Sequence, residues 1–247
     1  MLNEKVAVIT GCNGGIGYEI LKLFYKHNVK KIFACVRNLN DKLNQELKKI
    51  NTDNNIVEII ECDFSREEDV KKASELILSK TDKIDIIVNN AATISTALFQ
   101  MTTVQSVKKT FEINFFHQFR FTQIISKSMI KKKYGNIVFI ASSSAQDGNP
   151  GRSAYSSSKA AIISLSKTLS REYGKENIRV NCISPGPINT EMLIKNSPKG
   201  IIEEIVDRSS LKRLGNPEEV ANLVLFLCSD LSSFITGQNI RIDGGMN

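Results

Sequence analysis

Short apolar runs alternate with amphipathic stretches along the whole chain. Runs of strand length, rich in Val and Ile, lie at Val6 to Ile9, Ile32 to Val36, Val57 to Cys62, Ile84 to Asn89, Ile137 to Ala141, Arg179 to Ser184 and Asn239 to Ile242. Between them apolar residues recur at helical spacing over Ile16 to His27, Asp41 to Ile50, Glu67 to Ser79, Val104 to Lys132, Ala154 to Tyr173, Ile201 to Ser209 and Pro217 to Leu227. The fourth of these is long for one globular helix, so a break is expected near Asn114. Pro217, Glu218 and Glu219 make a good helix opening, with a ring-fixed φ and acids at the positive end of the dipole. Strict alternation of strands and helices predicts an α/β fold, a Rossmann-type doubly wound parallel seven-stranded sheet with helices on both faces. No linker interrupts the pattern, so residues 1–247 are expected to form one domain. Gly200 and Pro198 divide two short helical patterns, which predicts a substrate lid at about 189–209.

Composition narrows the function. With 247 residues, 41% hydrophobic and 24% charged, the chain can bury one large core. Its apolar runs fall short of a membrane span, and residues 5–9 enter a strand pattern without signal-peptide architecture, so a cytoplasmic protein is expected. Five cysteines (Cys12, Cys35, Cys62, Cys182 and Cys228) share no C-x-x-C spacing and mostly sit in apolar runs, as reduced buried thiols do. His27 and His117 have no ligand-spaced partners, so no metal site is expected. The net charge of +7 is spread along helices, and Lys131 to Lys133 reads as a solvated helix end, so no nucleic-acid partner is expected. Attraction to an anionic substrate or carrier stays open.

Candidate chemistry gathers at the ends of strands. From Ser142 the chain passes through a Gly/Pro-rich loop to Tyr155 and Lys159, which leave one helix face a turn apart. A nearby ammonium favours phenolate, moving a phenol toward use as an acid/base, and Ser142 adds a hydroxyl from the facing strand. After the first strand comes Thr10-Gly11-Cys12-Asn13-Gly14-Gly15-Ile16-Gly17, a glycine turn that lets backbone approach a pyrophosphate and aims a helix N-terminus at it. The second strand ends in Val36 and Arg37, offering a 2′-phosphate clamp in place of a ribose-binding acid. Asp63 follows the third strand and would sit beside the adenine edge. Asn89 and Asn90 end the fourth, Asn89 read as structural and Asn90 as mixed. Asn114 is an amide in an apolar helical run, and a water chain toward the site would satisfy it. The loop from Ser184 through Pro185, Gly186, Pro187, Ile188, Asn189 and Thr190 is stiffened by two prolines over the ligand-binding edge.

Taken together, these residues resemble the short-chain dehydrogenase/reductase family over essentially the whole chain. The resemblance rests on Thr10-Gly11-x-x-x-Gly15-Ile16-Gly17, Asn89-Asn90-Ala91, Asn114, Ser142, Tyr155-x-x-x-Lys159, Pro185-Gly186-x-Ile188-x-Thr190 and the Asp243-Gly244-Gly245 ending. The chain looks most like the 3-oxoacyl-(acyl carrier protein) reductase branch of fatty acid biosynthesis. That likeness implies an oxidoreductase in which Tyr155 protonates a ketone oxygen as hydride arrives, Ser142 hydrogen-bonds that oxygen, and Lys159 lowers the Tyr155 pKa and binds the nicotinamide ribose. It further implies that Asn114 holds a relay water, that Ile188 and Thr190 hold the carboxamide side, and that Asn90 and Asp63 hold the adenosine side. The implied cofactor site comprises Gly11, Asn13, Gly15, Ile16, Gly17, Arg37, Asp63, Asn90, Ala91, Tyr155, Lys159, Pro185, Gly186, Ile188 and Thr190. The implied cofactor is NADP in preference to NAD. The implied assembly is a homotetramer through the long fourth and fifth helices, with Phe115, Phe119, Ile162, Leu165 and Leu169 available there. An acyl carrier protein docking on Lys131 to Lys133 is a further implication.

The chain departs from the family pattern at Ala92, where a glycine is usual, and at Gly14, where many NADP-using members carry a base. Two other readings remain at this stage. One is a sugar or other secondary-alcohol dehydrogenase of a biosynthetic pathway; the other is a non-catalytic dinucleotide-binding sensor, for which the Ser142, Tyr155 and Lys159 set would have no use.

Overall fold

The computed structural model describes residues 1–39, 41–50, 56–197 and 200–246, without the side chains of 42, 46 and 48–50. Seven strands, β1 Val6–Thr10, β2 Lys31–Val36, β3 Val57–Glu61, β4 Ile86–Asn89, β5 Gly135–Ile140, β6 Ile178–Pro185 and β7 Asn239–Ile242, pair in parallel in the order β3-β2-β1-β4-β5-β6-β7. The helices are α1 Gly15–Lys26, α2 Asp41–Ile50, α3 Glu67–Lys80, α4 Val104–Phe111, α5 His117–Lys132, α6 Ser144–Asp147, α7 Ser153–Tyr173, α8 Glu191–Lys195, α9 Ile201–Arg208 and α10 Pro217–Cys228. Every strand and helix expected from the pattern is present, with ends displaced by at most two residues.

Strand side chains alternate between two apolar layers, as their period of two requires. Ala7, Ile9, Val138 and Ile140 pack with Ile20, Leu21 and Phe24 of α1 and Val224 and Leu227 of α10. Val6, Val8, Ile137 and Phe139 face the other way, onto Val70 and Ile77 of α3, Phe121, Ile125 and Met129 of α5, and Ile162 of α7. The cysteines are free and buried in these layers, and burial pushes the Cys182 and Cys228 thiols up to about 12. Among the described residues no helix is long and apolar enough to cross a membrane.

Local chemistry sets the boundaries. Asn216 and Glu219 form a reciprocal capping box around Pro217, and the Arg213 guanidinium with the Asn216 N–H holds the Glu219 carboxyl down at about 2. β4 starts two residues later than the apolar run because the Asp85 carboxylate, in place of a backbone carbonyl, accepts the Val6 N–H at 2.8 Å. Between α4 and α5 the break falls as expected, as a π-helical turn over Glu112–Phe116 that carries Asn114 inward to zero exposure. The one-turn helices α6 and α8 have no counterpart in the pattern, being too short to show a periodicity.

The chain runs from β1 out to β3 and then returns to β4 on the other side of β1. The loops leaving β1 and β4 therefore diverge, opening a crevice at the carboxyl edge of the sheet. Gly17 closes α1 against that crevice's floor, since a Cβ there would lie 2.2 Å from the Gly11 carbonyl oxygen and 2.6 Å from the Asn90 side-chain nitrogen. The Gly11 oxygen is backbone just past β1, and the Asn90 nitrogen is held by the Thr10 and Gly11 carbonyls. Gly17→Ala is therefore expected to destabilise the protein by about 1–3 kcal/mol through overpacking, read as a lower urea midpoint at unchanged slope. An unaltered midpoint would show that α1 can lift away freely.

Candidate active site

The crevice deepens into a cleft of about 1280 Å³ running from the β1 turn to α8 and α9. At one end Gly11 (φ +73°) and Gly15 (φ +53°) adopt left-handed backbone that side chains resist. Gly14 caps α1 without any side-chain hydrogen bond, and a Cβ there would meet nothing within 4 Å. The first-turn N–H groups of α1 thus reach the cleft without a side-chain cap, a ready site for a phosphate. The Asn13 amide donates to the Asn38 carbonyl at 2.7 Å, tying this turn to the loop after β2, where exposed Arg37 reaches the same cleft. Glycine cradle, uncapped helix and cation together fit a nicotinamide dinucleotide.

Threonine and asparagine lock the cleft floor. The Thr10 hydroxyl accepts the N–H groups of Asn90 and Ala91, both at 2.9 Å, and the Asn90 amide donates to the Thr10 and Gly11 carbonyls at 3.0 and 3.1 Å. Asn90 thereby spends its donors holding the glycine turn. The Asn89 amide donates to the Thr122 hydroxyl at 2.9 Å, the structural role its position suggests.

At the middle of the cleft Ser142, just past β5, stands near the Tyr155 phenol from the first turn of α7. Lys159 follows one turn later, 1% exposed, with its Nζ 2.7 Å from the Ile140 carbonyl oxygen and 5.9 Å from the centre of the Tyr155 ring. Burial draws the Lys159 pKa down to about 8. Burial also raises the Tyr155 pKa above the ordinary phenol value, against the nearby Ser142 hydroxyl and the positive field of Arg152, which lower it. The Lys159 ammonium is held on the β5 backbone close to the Tyr155 ring, and Arg152 adds a second positive charge near the phenol.

The Asn114 side chain binds Thr93 and Ser158. Its amide donates to the Thr93 carbonyl at 2.9 Å and the Ser158 hydroxyl at 3.0 Å, and its oxygen accepts the Thr93 N–H at 2.8 Å. Ser158 in turn donates to the Tyr155 carbonyl at 2.7 Å, so the π turn tethers the first turn of α7. Gly11, Asn13, Gly15, Ile16, Arg37, Asn90, Ala91, Ser142, Tyr155, Lys159, Pro185, Gly186, Ile188 and Thr190 all line the cleft, whereas Gly17, Asp63 and Asn114 lie outside its lining. The Asp63 carboxylate accepts the Ser65 N–H at 2.8 Å; burial would raise its pKa, but the Ser65 bonds together with Arg37 and Arg66 pull it lower.

Arg152 was not singled out from the sequence, although it stands three residues before Tyr155, at the N-cap of α7. It is half-buried in the cleft wall, donating to the Thr96 hydroxyl and, at 3.0 Å, to the Asn196 carbonyl beyond α8. The excursion carrying α8 and α9 is pinned at its roots by paired backbone bonds between residues 187–189 and Gly215, and by the Ser209 hydroxyl on the Gly244 carbonyl at 3.0 Å. Of the two residues expected to break it, Gly200 has φ +88° and Pro198 lies outside the described residues.

Residues 11–247 match the family model described as Enoyl-(Acyl carrier protein) reductase. The chain is 36% identical to the 3-oxoacyl-[acyl-carrier-protein] reductase of Rickettsia conorii over 245 residues, covering 99% of this chain and 98% of that one. It is 33% identical to the 7alpha-hydroxysteroid dehydrogenase of Escherichia coli, covering 99% and 94%. Among solved structures, a short chain dehydrogenase/reductase family protein superposes with a TM-score of 0.86 at 28% identity, covering 99% of this chain and 97% of that one.

The depressed Lys159 pKa predicts how stability changes with pH. The unfolded chain keeps that proton up to the free-lysine value of 10.5, the folded chain only up to about 8. Between these limits the unfolded state binds more protons, so stability conferred by this residue rises with pH by up to about 1.4 kcal/mol per unit and is flat below. Urea denaturation of cofactor-free parent and Lys159→Met, compared from pH 7 to 9.5, should show the parent gaining on the variant above pH 8. A constant difference across that window would mean that the folded protein holds the proton as tightly as the unfolded one.

Proposed function

The chain belongs to the short-chain dehydrogenase/reductase family, and from that premise we propose that it is an NADPH-preferring reductase of 3-oxoacyl groups carried on acyl carrier protein. Its class is that of an NAD(P)-dependent oxidoreductase interconverting C=O and CH–OH. The observation that carries the reading is the convergence of the Ser142 and Tyr155 hydroxyls, over buried Lys159, in the same cleft as the uncapped glycine turn. The bound nicotinamide supplies the hydride. The protein's own part is positional and protonic. Ser142 and Tyr155 hold the ketone oxygen; Tyr155 delivers the proton that converts it to a hydroxyl and removes that proton in the reverse direction. Lys159, anchored on β5, places its charge beside the ribose position, and Asn114 keeps the turn bearing Tyr155 in register through Ser158.

Coenzyme preference rests on the end of β2. Val36 is buried and offers no carboxylate to a ribose 2′-hydroxyl, while Arg37 is exposed on the cleft with a planar fork suited to a 2′-phosphate. Gly14 adds no second base, so Arg37 carries the discrimination. The segment 189–209 acts as the substrate lid within a one-domain chain, because its roots are fixed while α8 and α9 line the cleft.

Partners follow from two surfaces. Lys131 to Lys133 close α5 at the sheet edge away from the cleft, since α5 ends where β5 begins. A carrier protein docking there serves the cleft of a neighbouring copy. A homotetramer provides that neighbour, and Phe116 (54% exposed), edge-on to Phe115, and Phe119 (41%), tilted against it, offer an aromatic face. Ile162, by contrast, is spent in the chain's own core.

NADPH oxidation with 3-oxoacyl thioesters, keto-sugars and simple ketones tests the assignment; rates highest on a keto-sugar or simple ketone would move it to another alcohol dehydrogenase. Tyr155→Phe should leave cofactor binding intact and lower kcat by about two to four orders of magnitude. Near-normal turnover would remove Tyr155 from the chemistry. Arg37→Ala should reduce the ratio of kcat/KM for NADPH over NADH by about ten- to a hundredfold, the worth of one charge-assisted contact. A parent that prefers NADH would overturn the coenzyme assignment.

A further inference from the structure

Four charged residues line the substrate half of the cleft: Arg152, Glu191, Glu204 and Arg208. Three are exposed, and Lys195 engages Glu191 at 2.8 Å. Arg152 differs, being half-buried and hydrogen-bonded to two neutral acceptors, the Thr96 hydroxyl and the Asn196 carbonyl. Among the described residues no carboxylate pairs with it. Burial without a countercharge holds its pKa below the ordinary guanidinium value. A guanidinium has five N–H donors, so the two bonds seen leave donors for a ligand. A cation in this state gains most from an anion delivered by the substrate.

Its placement says where that anion sits. Arg152 is the N-cap residue of α7, three positions before Tyr155, and both side chains line the same cleft, so an anion on the guanidinium shares that cleft with a ketone oxygen at Tyr155. In a 3-oxo acid a single methylene separates the ketone carbon from the carboxylate, so both groups occupy one part of the cleft. In a 3-oxoacyl thioester the same place is taken by the thioester carbonyl, a neutral acceptor. A free carboxylate there would make the stronger, charge-assisted bond.

We propose that this site also reduces free 3-oxo acids, with Arg152 binding the carboxylate while the ketone oxygen lies between Ser142 and Tyr155. The proposal rests on the reductase reading above. The reduced nicotinamide gives a hydride to the ketone carbon, the C=O π pair moves to oxygen, and oxygen takes the Tyr155 proton. The carboxylate is unchanged, and the products are a 3-hydroxy acid and the oxidised cofactor.

The probes are 3-oxobutanoate and its methyl ester, which share a carbon chain and differ in charge. Calorimetric titration into the protein saturated with oxidised cofactor needs no turnover. The parent should bind the acid about ten- to a hundredfold more tightly than the ester, as one charge-assisted contact allows. Arg152→Gln, which can still bond Thr96 and Asn196, should abolish that difference while changing ester affinity little, and Arg152→Lys should restore part of it. With NADPH the parent should convert 3-oxobutanoate to 3-hydroxybutanoate. Equal affinities in the parent, equal losses in Arg152→Gln, or binding of the acid without its reduction would each overturn the proposal. Turnover of acetoacetyl-coenzyme A separates the two readings. If the thioester is reduced and binding is blind to charge, the carrier-substrate reading stands without this one; if the acid is reduced through Arg152 and the thioester is not, the reverse holds.

Discussion

Lys159 keeps an ammonium in the interior, 1% exposed, on a hydrogen bond to the Ile140 carbonyl. Removing such a charge from water costs several kcal/mol, and one neutral acceptor returns a fraction of it. The remainder has to come from packing elsewhere, and the sheet covered on both faces by apolar helices provides it. What the molecule retains in exchange is a fixed positive charge beside a phenol, in a cleft where low dielectric makes each dipole count. The tether from Thr93 through Asn114 and Ser158 to the Tyr155 carbonyl keeps that phenol in place.

Electrostatics in the cleft is shared between two cations of the α7 segment, one buried and one half-buried. Lys159 lies under the floor and is held by backbone, whereas Arg152 stands in the wall and joins the loop after β4 to the end of α8. The first suits a constant partner such as a cofactor ribose, the second a partner that changes with each turnover. This separation explains why two positive charges flank one phenol without redundancy.

The sequence showed the fold well because both periodicities are strong. Two-faced burial writes β5 as a continuous apolar run, and the amphipathic helices repeat over several turns. One-turn helices such as α6 and α8 are legible through local bonds, like the Thr190 hydroxyl accepting the Leu193 N–H, which a pattern of apolar positions does not record. The proposed catalytic residues Ser142, Tyr155 and Lys159 were visible because Tyr155 and Lys159 stand four apart near a helix start and Ser142 follows a strand end. Their interactions were not. Whether Lys159 points at the phenol or at a strand carbonyl depends on rotamer and depth, and the field of Arg152 on Tyr155 depends on where a loop closes. Gly17 and Asp63 share a motif with cleft residues, yet one serves backbone packing and the other a loop turn.

The π-helical turn at Glu112–Phe116 carries one residue more than an α-helix needs, and that extra residue is what turns Asn114 toward Thr93 and Ser158. Each residue advances a helix by about 100°, so deleting one position there would join α4 and α5 as a regular helix with its faces rotated by that angle. Backbone hydrogen bonding would improve while the tether to α7 was lost. In a gene encoding this chain, an in-frame loss of one codon in that stretch is thus a lesion that regularises the polypeptide locally while it cuts the tie between two helices.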